Sequence, residues 1–281
     1  MTVAVIGIGL IGGSLSIDLR KRGFADRIIG VDQRIQHSDI ALLGGLIDET
    51  DTLENAVDKS DLIILCTPVD TNCMMLPLIL DRITGTSRVV TDMGSTKASI
   101  AGISKGHRGR GRFVAAHPMA GTEFSGPLAA TSRLFDNKTA IICDRELSDP
   151  DSLELVESLF SLLNMHVVYM NSDIHDIHVA YVSHISHITS FSLALSVLEK
   201  EQEEKNILTL AGGGFESTVR LAKSNSETWA PIFTENSKFI LNAIDTYIEK
   251  MKAFRKMISR KDTEALKSLM EEANKIRKIL N

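Results

Sequence analysis

Disulfide chemistry has almost no material here. Three cysteines, an odd number, stand at 66, 73 and 143 in 281 residues. Cys66 sits in the apolar run "LIILC" and reads as buried. Thiols this sparse exclude a disulfide scaffold and fit a reducing, cytoplasmic compartment. Positive charge is not in excess either: 31 Lys and Arg face 36 Asp and Glu, a formal net charge of −5. That balance gives nucleic acid or an anionic membrane nothing to hold, so neither is expected as a partner. No apolar run comes near the ~20 residues that span a bilayer. The apolar start of the chain has no basic leader and is broken by glycines, so no signal peptide is read there. Repeats and low-complexity tracts are missing as well.

What the chain does have is 43% hydrophobic residues, enough for a sizeable core and, at this length, for about two domains. Its first half alternates. "TVAVI" (2–6) is a continuous apolar run, the pattern of a strand buried on both faces. Residues 11–22 carry apolar positions at helical spacing and run into Gly23, a natural residue just past a helix end. Further strands are predicted at 27–31, 61–66, 88–93, 112–117, 139–143 and 166–170, most of them separated by helix-like segments. Strands alternating with helices imply βαβ units and a mostly parallel sheet. Past about residue 171 the strand pattern stops. The stretch 173–205 has neither Pro nor Gly and is predicted as one long helix; 226–248 and 262–280 are predicted as two more. The expectation is an α/β domain over residues 1–171 and a helical domain over 172–281.

"AVIGIGLIGGS" (4–14) puts a bare backbone directly after the first strand. Gly7, Gly9 and Gly12 form G-x-G-x-x-G there. The first permits a tight turn, the second lets the backbone approach a pyrophosphate, and the third lets the helix pack on the strand. With Ile8, Leu10 and Ile11 between them, the loop offers the free N–H groups of a helix N-terminus to the phosphates. Asp32 ends the second strand, 20 residues past Gly12. A carboxylate there accepts hydrogen bonds from the adenosine ribose and repels a 2′-phosphate, which favours NAD over NADP. Gln33 follows it, and Arg34 pulls the other way. Cys66, Thr67 and Pro68, then Asp92 and Gly94, mark two more strand ends, where ligands bind in open α/β sheets.

"HPMAGTE" (117–123) follows the fifth predicted strand. Together with "GIGLIGGS", "DMGSTK" (92–97), "SHISH" (183–187) and "GGGFESTVRLA" (212–222), it gives the chain a resemblance to the prephenate/arogenate dehydrogenase family, in the right order over nearly its whole length. The resemblance implies an α/β Rossmann-type dinucleotide-binding domain followed by an all-helical dimerisation domain, with a homodimer formed through the latter. It implies NAD(P)-dependent oxidative decarboxylation of prephenate or arogenate, on the way to tyrosine. Residue by residue, His117 matches the catalytic histidine. Ser95 matches a serine that binds the ring hydroxyl and helps orient that histidine. His187 matches a histidine lining the substrate pocket, and Arg220 the arginine that binds a substrate carboxylate. His184, Gly121, Thr122, Glu123 and Trp229 are expected around the same pocket. Where many relatives carry Asp, this chain has Ser217, with Glu216 next to it.

The chemistry suits these residue types. Hydride loss from the ring carbon bearing the hydroxyl, followed by loss of CO2 opposite, makes the ring aromatic, so no strong base is needed. A neutral imidazole accepts the hydroxyl proton near its own pKa, and a guanidinium binds a carboxylate bidentately. Two other readings stay open. A β-hydroxyacid dehydrogenase shares the architecture but uses a Lys followed four residues later by Asn; Lys223 and Asn225 have the wrong spacing. A protein that senses NAD without turnover is the other. No metal is expected: His175 and His184 fall on nearly opposite faces of a straight helix, which leaves His184 and His187 toward the cleft and His175 and His178 near the helix start.

Overall fold

Strands β1 (Thr2–Ile6), β2 (Arg27–Val31), β3 (Glu49–Thr50), β4 (Leu62–Leu65), β5 (Val89–Asp92), β6 (Phe113–Pro118), β7 (Thr139–Cys143) and β8 (His166–Met170) form one sheet in the order β3-β2-β1-β4-β5-β6-β7-β8. They are seen in a computed structural model that describes residues 1–279. Leu280, the last residue of the helix expected over 262–280, and Asn281 lie outside the described residues. Helices α1 (Leu10–Lys21), α2 (Ile35–Leu43), α3 (Leu53–Lys59), α4 (Val69–Ile83), α5 (Ala98–Ser104) and α6 (Pro150–Leu162) connect the strands. The alternation of side chains explains the apolar runs. Val3 and Val5, with Leu62 and Ile64, face a core built with Leu15, Leu19, Leu159 and Phe160. Ala4 and Ile6, with Ile63 and Leu65, face a second core built with Leu76, Ile79 and Leu80. β4 is therefore apolar at every position, and β1 at every position after Thr2. The one strand without a sequence signal is β3, whose two residues pair with Ile29 and Gly30 and are too few to show a period.

Every neighbouring pair is parallel except β6 and β7. That reversal decides where the chain goes next. Asp92 pairs with Ala115, Ala115 with Cys143, and Cys143 with Met170. These four residues make one row across four strands, and the row contains the end of β5. The chain leaves β8 at the level of Asp92 and enters α7 (Ser172–Val179) beside the C-terminal edge of the parallel strands.

From Ser172 on, the described residues form helices and no strand. The single helix expected over 173–205 differs from what forms. After α7 comes a π-helical segment, Ala180–His184, and then α8 (Ile185–Glu203). α9 (Gly213–Val219) follows. The helix expected over 226–248 is two, α10 (Ser226–Glu235) and α11 (Ser237–Arg260), broken at Asn236. Its buried side chain turns inward to donate to the Asp176 carbonyl at 2.8 Å, a polar anchor that neither Pro nor Gly announces. α12 (Thr263–Ala273) gives way to a 3-10 turn before its predicted end. Among the described residues, the buried apolar side chains of this half number five, Val179, Ala180, Ile232, Ile240 and Ala243, whereas Leu195, Leu210, Leu241, Met251 and Ile258 are exposed. No helix among the described residues is long and apolar enough to cross a membrane.

Candidate active site

The order of the sheet reverses between β1 and β4: the chain moves outward from β1 through β2 to β3 and returns on the other side. Such a switch point opens a crevice at the strand C-termini, and the glycine loop lies there. Gly7 has φ +92°, and a Cβ on it would stand 2.8 Å from the Cys66 carbonyl carbon; on Gly12 it would stand 2.1 Å from the Gly7 oxygen. A Cβ on Gly9 would meet nothing within 4 Å. The outer two glycines thus serve packing, and the middle one leaves open the space a pyrophosphate needs.

The rest of the expected dinucleotide set lines or borders this crevice. Leu10 and Ile11 begin α1. The Ile8 N–H donates to Asp32 at 2.9 Å, and the Arg34 N–H donates to the other carboxylate oxygen at 2.9 Å. These bonds aim the carboxylate of Asp32 at the loop; Gln33 is exposed beside it. Cys66 is partly exposed, not buried as expected, because it lies one residue past β4, where the sheet opens. Burial pushes the thiols of Cys73 and Cys143 up to about 12, so neither is a nucleophile at neutral pH. The Thr67 hydroxyl donates to Asn72 at 2.6 Å, and Pro68 precedes α4. The amide nitrogen of Asn72 is buried without a partner among the described residues, 3.5 Å from where a Cβ on Gly94 would stand. The open space at Gly9 and the orphaned donor of Asn72, on the helix that follows the next strand end, fit a bound dinucleotide.

Asp92 ends β5 in the buried row. It accepts from the N–H groups of Gly94 at 2.9 Å and Ala116 at 3.2 Å, and pairs with the fully buried Lys97 ammonium. This pair folds the "DMGSTK" turn tightly against β6; the sequence reading gave Lys97 no role. Ser95, on the turn, is partly exposed. Its hydroxyl makes no hydrogen bond within the described residues, to His117 or otherwise.

The residue that does meet His117 is His175. Nδ1 of His117, near the end of β6, lies 2.8 Å from Nε2 of His175 on α7. His175 in turn places Nδ1 2.7 Å from Asp176 Oδ1. The carboxylate of Asp176 also accepts from the backbone N–H groups of Lys97 at 2.8 Å and Ala98 at 2.9 Å, capping α5. The expected division of the histidines is corrected here: His175 belongs to the centre. It reaches His117 because the row of Asp92 and Met170 delivers α7 to the edge of the sheet. His184 is buried, with Nδ1 3.1 Å from the Asn236 amide nitrogen, and the π segment between it and His175 removes the straight-helix geometry. His178 is exposed.

Burial holds the His117 imidazolium well below its ordinary pKa, helped by His175, Lys97 and His184. Burial also lowers His175 against the opposing pull of Asp176, and lowers His184 to about 4. His187 is lowered by burial too, and its Nδ1 lies 3.1 Å from the Ser183 carbonyl. Trp229 stacks on His187 with ring centroids 3.3 Å apart and meets His184 edge-on at 6.0 Å.

Polar contacts bridge the two halves of the chain. Arg220 lies 3.5 Å from Glu123, in the exposed loop that carries Gly121 and Thr122. The Thr122 hydroxyl accepts from the Phe124 N–H at 3.2 Å. Asn225 reaches Ser125 at 3.2 Å, and Arg34 pairs with Glu227 of α10. Glu123 is thus the partner of Arg220. The Ser217 hydroxyl bonds locally to Gly214 at 3.0 Å, and Glu216 pairs with no base among the described residues.

A doubly covered sheet with an open glycine loop at its switch point, and a buried histidine at its C-terminal edge, define an NAD-dependent dehydrogenase. Residues 15–169 match the family described as "Prephenate dehydrogenase, nucleotide-binding domain", and residues 171–272 match "Prephenate dehydrogenase, dimerization domain". The prephenate dehydrogenase of Bacillus subtilis (strain 168) is 31% identical over 267 residues, which cover 94% of this chain and 72% of that protein. The crystal structure of prephenate dehydrogenase from A. aeolicus in complex with hydroxyphenyl propionate and NAD+ has a TM-score of 0.85 at 29% identity, covering 99% of this chain and 98% of that one. Synechocystis arogenate dehydrogenase has a TM-score of 0.75 at 26% identity, covering 100% of both chains. The chain belongs to the prephenate dehydrogenase family.

Proposed function

We propose that this chain carries out the NAD-dependent oxidative decarboxylation of prephenate or arogenate in tyrosine biosynthesis, with His117 as the group that takes the hydroxyl proton. The observation that carries this reading is the state of His117: buried, held neutral, and bonded through Nδ1 alone. NAD+ bound in the crevice accepts the hydride. The free Nε2 of His117 accepts the proton of the ring hydroxyl as C4 loses hydride, and Ser95, whose hydroxyl has no partner among the described residues, holds that hydroxyl in line. CO2 leaves from the opposite ring carbon, its bonding electrons complete the aromatic ring as a phenolate, and His117 returns the proton to that oxygen. Arg220 binds a substrate carboxylate, displacing Glu123. His187, kept in place by Trp229, and His184 wall the pocket, and the loop of Gly121, Thr122 and Glu123 shields it from water.

The division between nucleotide-binding and helical parts falls at about residue 171, giving domains 1–171 and 172–281. The family matches, which end at 169 and begin at 171, support it. The exposed apolar residues of the helical part are the surface for a second copy of this chain, and a homodimer through that part is the working form. Three free cysteines support a cytoplasmic location. The test is NADH formation followed with prephenate and L-arogenate in parallel. Turnover of one or both is expected; NADH binding with turnover of neither overturns the reading in favour of a sensor.

A further inference from the structure

We propose that Asp176, acting through His175, fixes the tautomer of His117 so that Nε2 always presents a lone pair to the substrate hydroxyl. The inference rests on His117 being the proton acceptor and says how the chain makes it one. It follows from counting protons along a buried chain. Asp176 accepts from the amides of Lys97 and Ala98, so it stands as a carboxylate and has no proton to give. The 2.7 Å contact with His175 Nδ1 therefore requires a proton on that nitrogen. A neutral imidazole carries one N–H, which leaves His175 Nε2 bare. The 2.8 Å contact between His175 Nε2 and His117 Nδ1 then requires the proton on His117 Nδ1. His117 Nε2 is left as the acceptor.

The surrounding groups do not disturb this count. The Lys97 ammonium is engaged by Asp92, His184 Nδ1 by Asn236, and His187 Nδ1 by the Ser183 carbonyl. Side-chain exposure is 0% for His175 and 1% for Asp176, so water does not compete for either bond. An isolated imidazole would populate the other tautomer, in which Nε2 carries the proton and cannot accept one. His175 acts through His117 and Asp176 through His175, so both are positioning residues.

Nitrogen NMR of the 15N-histidine-labelled, ligand-free enzyme at pH 8 reads the tautomer directly, with the His117 signals identified by their loss in His117→Asn. Nδ1 protonated and Nε2 bare is expected; the reverse overturns the proposal. Two variants give the kinetic arm. His175→Phe keeps the ring volume but removes the acceptor, and kcat is expected to fall by about 10²–10⁴-fold, the range for a mispositioned base, with KM changed only a few-fold. His175→Gln restores a side-chain oxygen able to accept from His117 Nδ1, and at least a tenfold recovery of kcat over the Phe variant is expected. A Gln variant that melts like wild type yet is no faster than the Phe variant overturns the proposal. His117→Asn with undiminished kcat overturns the reading beneath it, whatever the tautomer.

Discussion

Arg220 is half in solvent, 3.5 Å from Glu123, so it can exchange that partner for a substrate carboxylate at small cost. Arg220→Ala should raise KM by about 10- to 150-fold, the equivalent of a lost charge-assisted pair of ~1.5–3 kcal/mol, with NADH affinity unchanged by fluorescence titration. An unaltered KM would take Arg220 out of the pocket. Asp32, aimed at the glycine loop, should make kcat/KM higher with NAD+ than with NADP+; parity would give the deciding role to Arg34. His117, Arg220 and Asp32 were legible because each sits in a short string whose neighbours fix its position on the chain. His175 and Asp176 were not. Their meaning depends on contact with His117 and Lys97, 58 and 79 positions away, which local spacing does not encode. Lys97 stood in a string already noticed, but only burial separates it from an ordinary surface lysine.

At the level of elements, the glycine loop separates binding from folding. Gly9→Ala adds a methyl where nothing stands within 4 Å. It should leave the melting temperature near wild type and weaken NADH binding at least tenfold, by filling the pyrophosphate's space. Gly12→Ala drives a Cβ to 2.1 Å from the Gly7 carbonyl oxygen. It should destabilise by more than about 2 kcal/mol, in the range of overpacked cores, as read by urea unfolding. Equal effects on both measurements would merge two roles assigned here to different glycines. The strands were readable because burial on both faces leaves an unbroken apolar run. The breaks in the helices were not. The π segment at Ala180–His184 contains no Gly or Pro, and Asn236 interrupts a helix through an inward bond to Asp176 that exists only once the two helices have met.

For the whole molecule, three buried histidines, His117, His175 and His184, and the half-buried His187 have depressed pKa values. Between pH 6.5 and 4 the unfolded chain binds protons that the folded chain refuses. Stability is therefore full above the unfolded value and falls as pH drops through that window. His184, lowered to about 4, alone accounts for about 3 kcal/mol of the loss. Urea melts from pH 8 down to pH 4.5 should show the decline, and a flat profile would mean the histidines are solvated. The exposed apolar surface of the helical part leads to a second expectation. Light scattering at micromolar concentration should report twice the 30.8 kDa of one chain; a monomer would leave that surface unexplained.

The carboxylate of Asp176 has a mechanical consequence. It springs from the helical part, yet it holds the first amides of α5, which belongs to the sheet. These buried bonds pin one part to the other beside the contact of His117 with His175, whereas the bridge of Arg220 and Glu123 stands partly in solvent. The first amides of a helix have no partner within it and ordinarily exchange freely with solvent. Those of Lys97 and Ala98 should exchange slowly in heavy water, at rates unaffected by adding NADH, even as the loop around Glu123 slows.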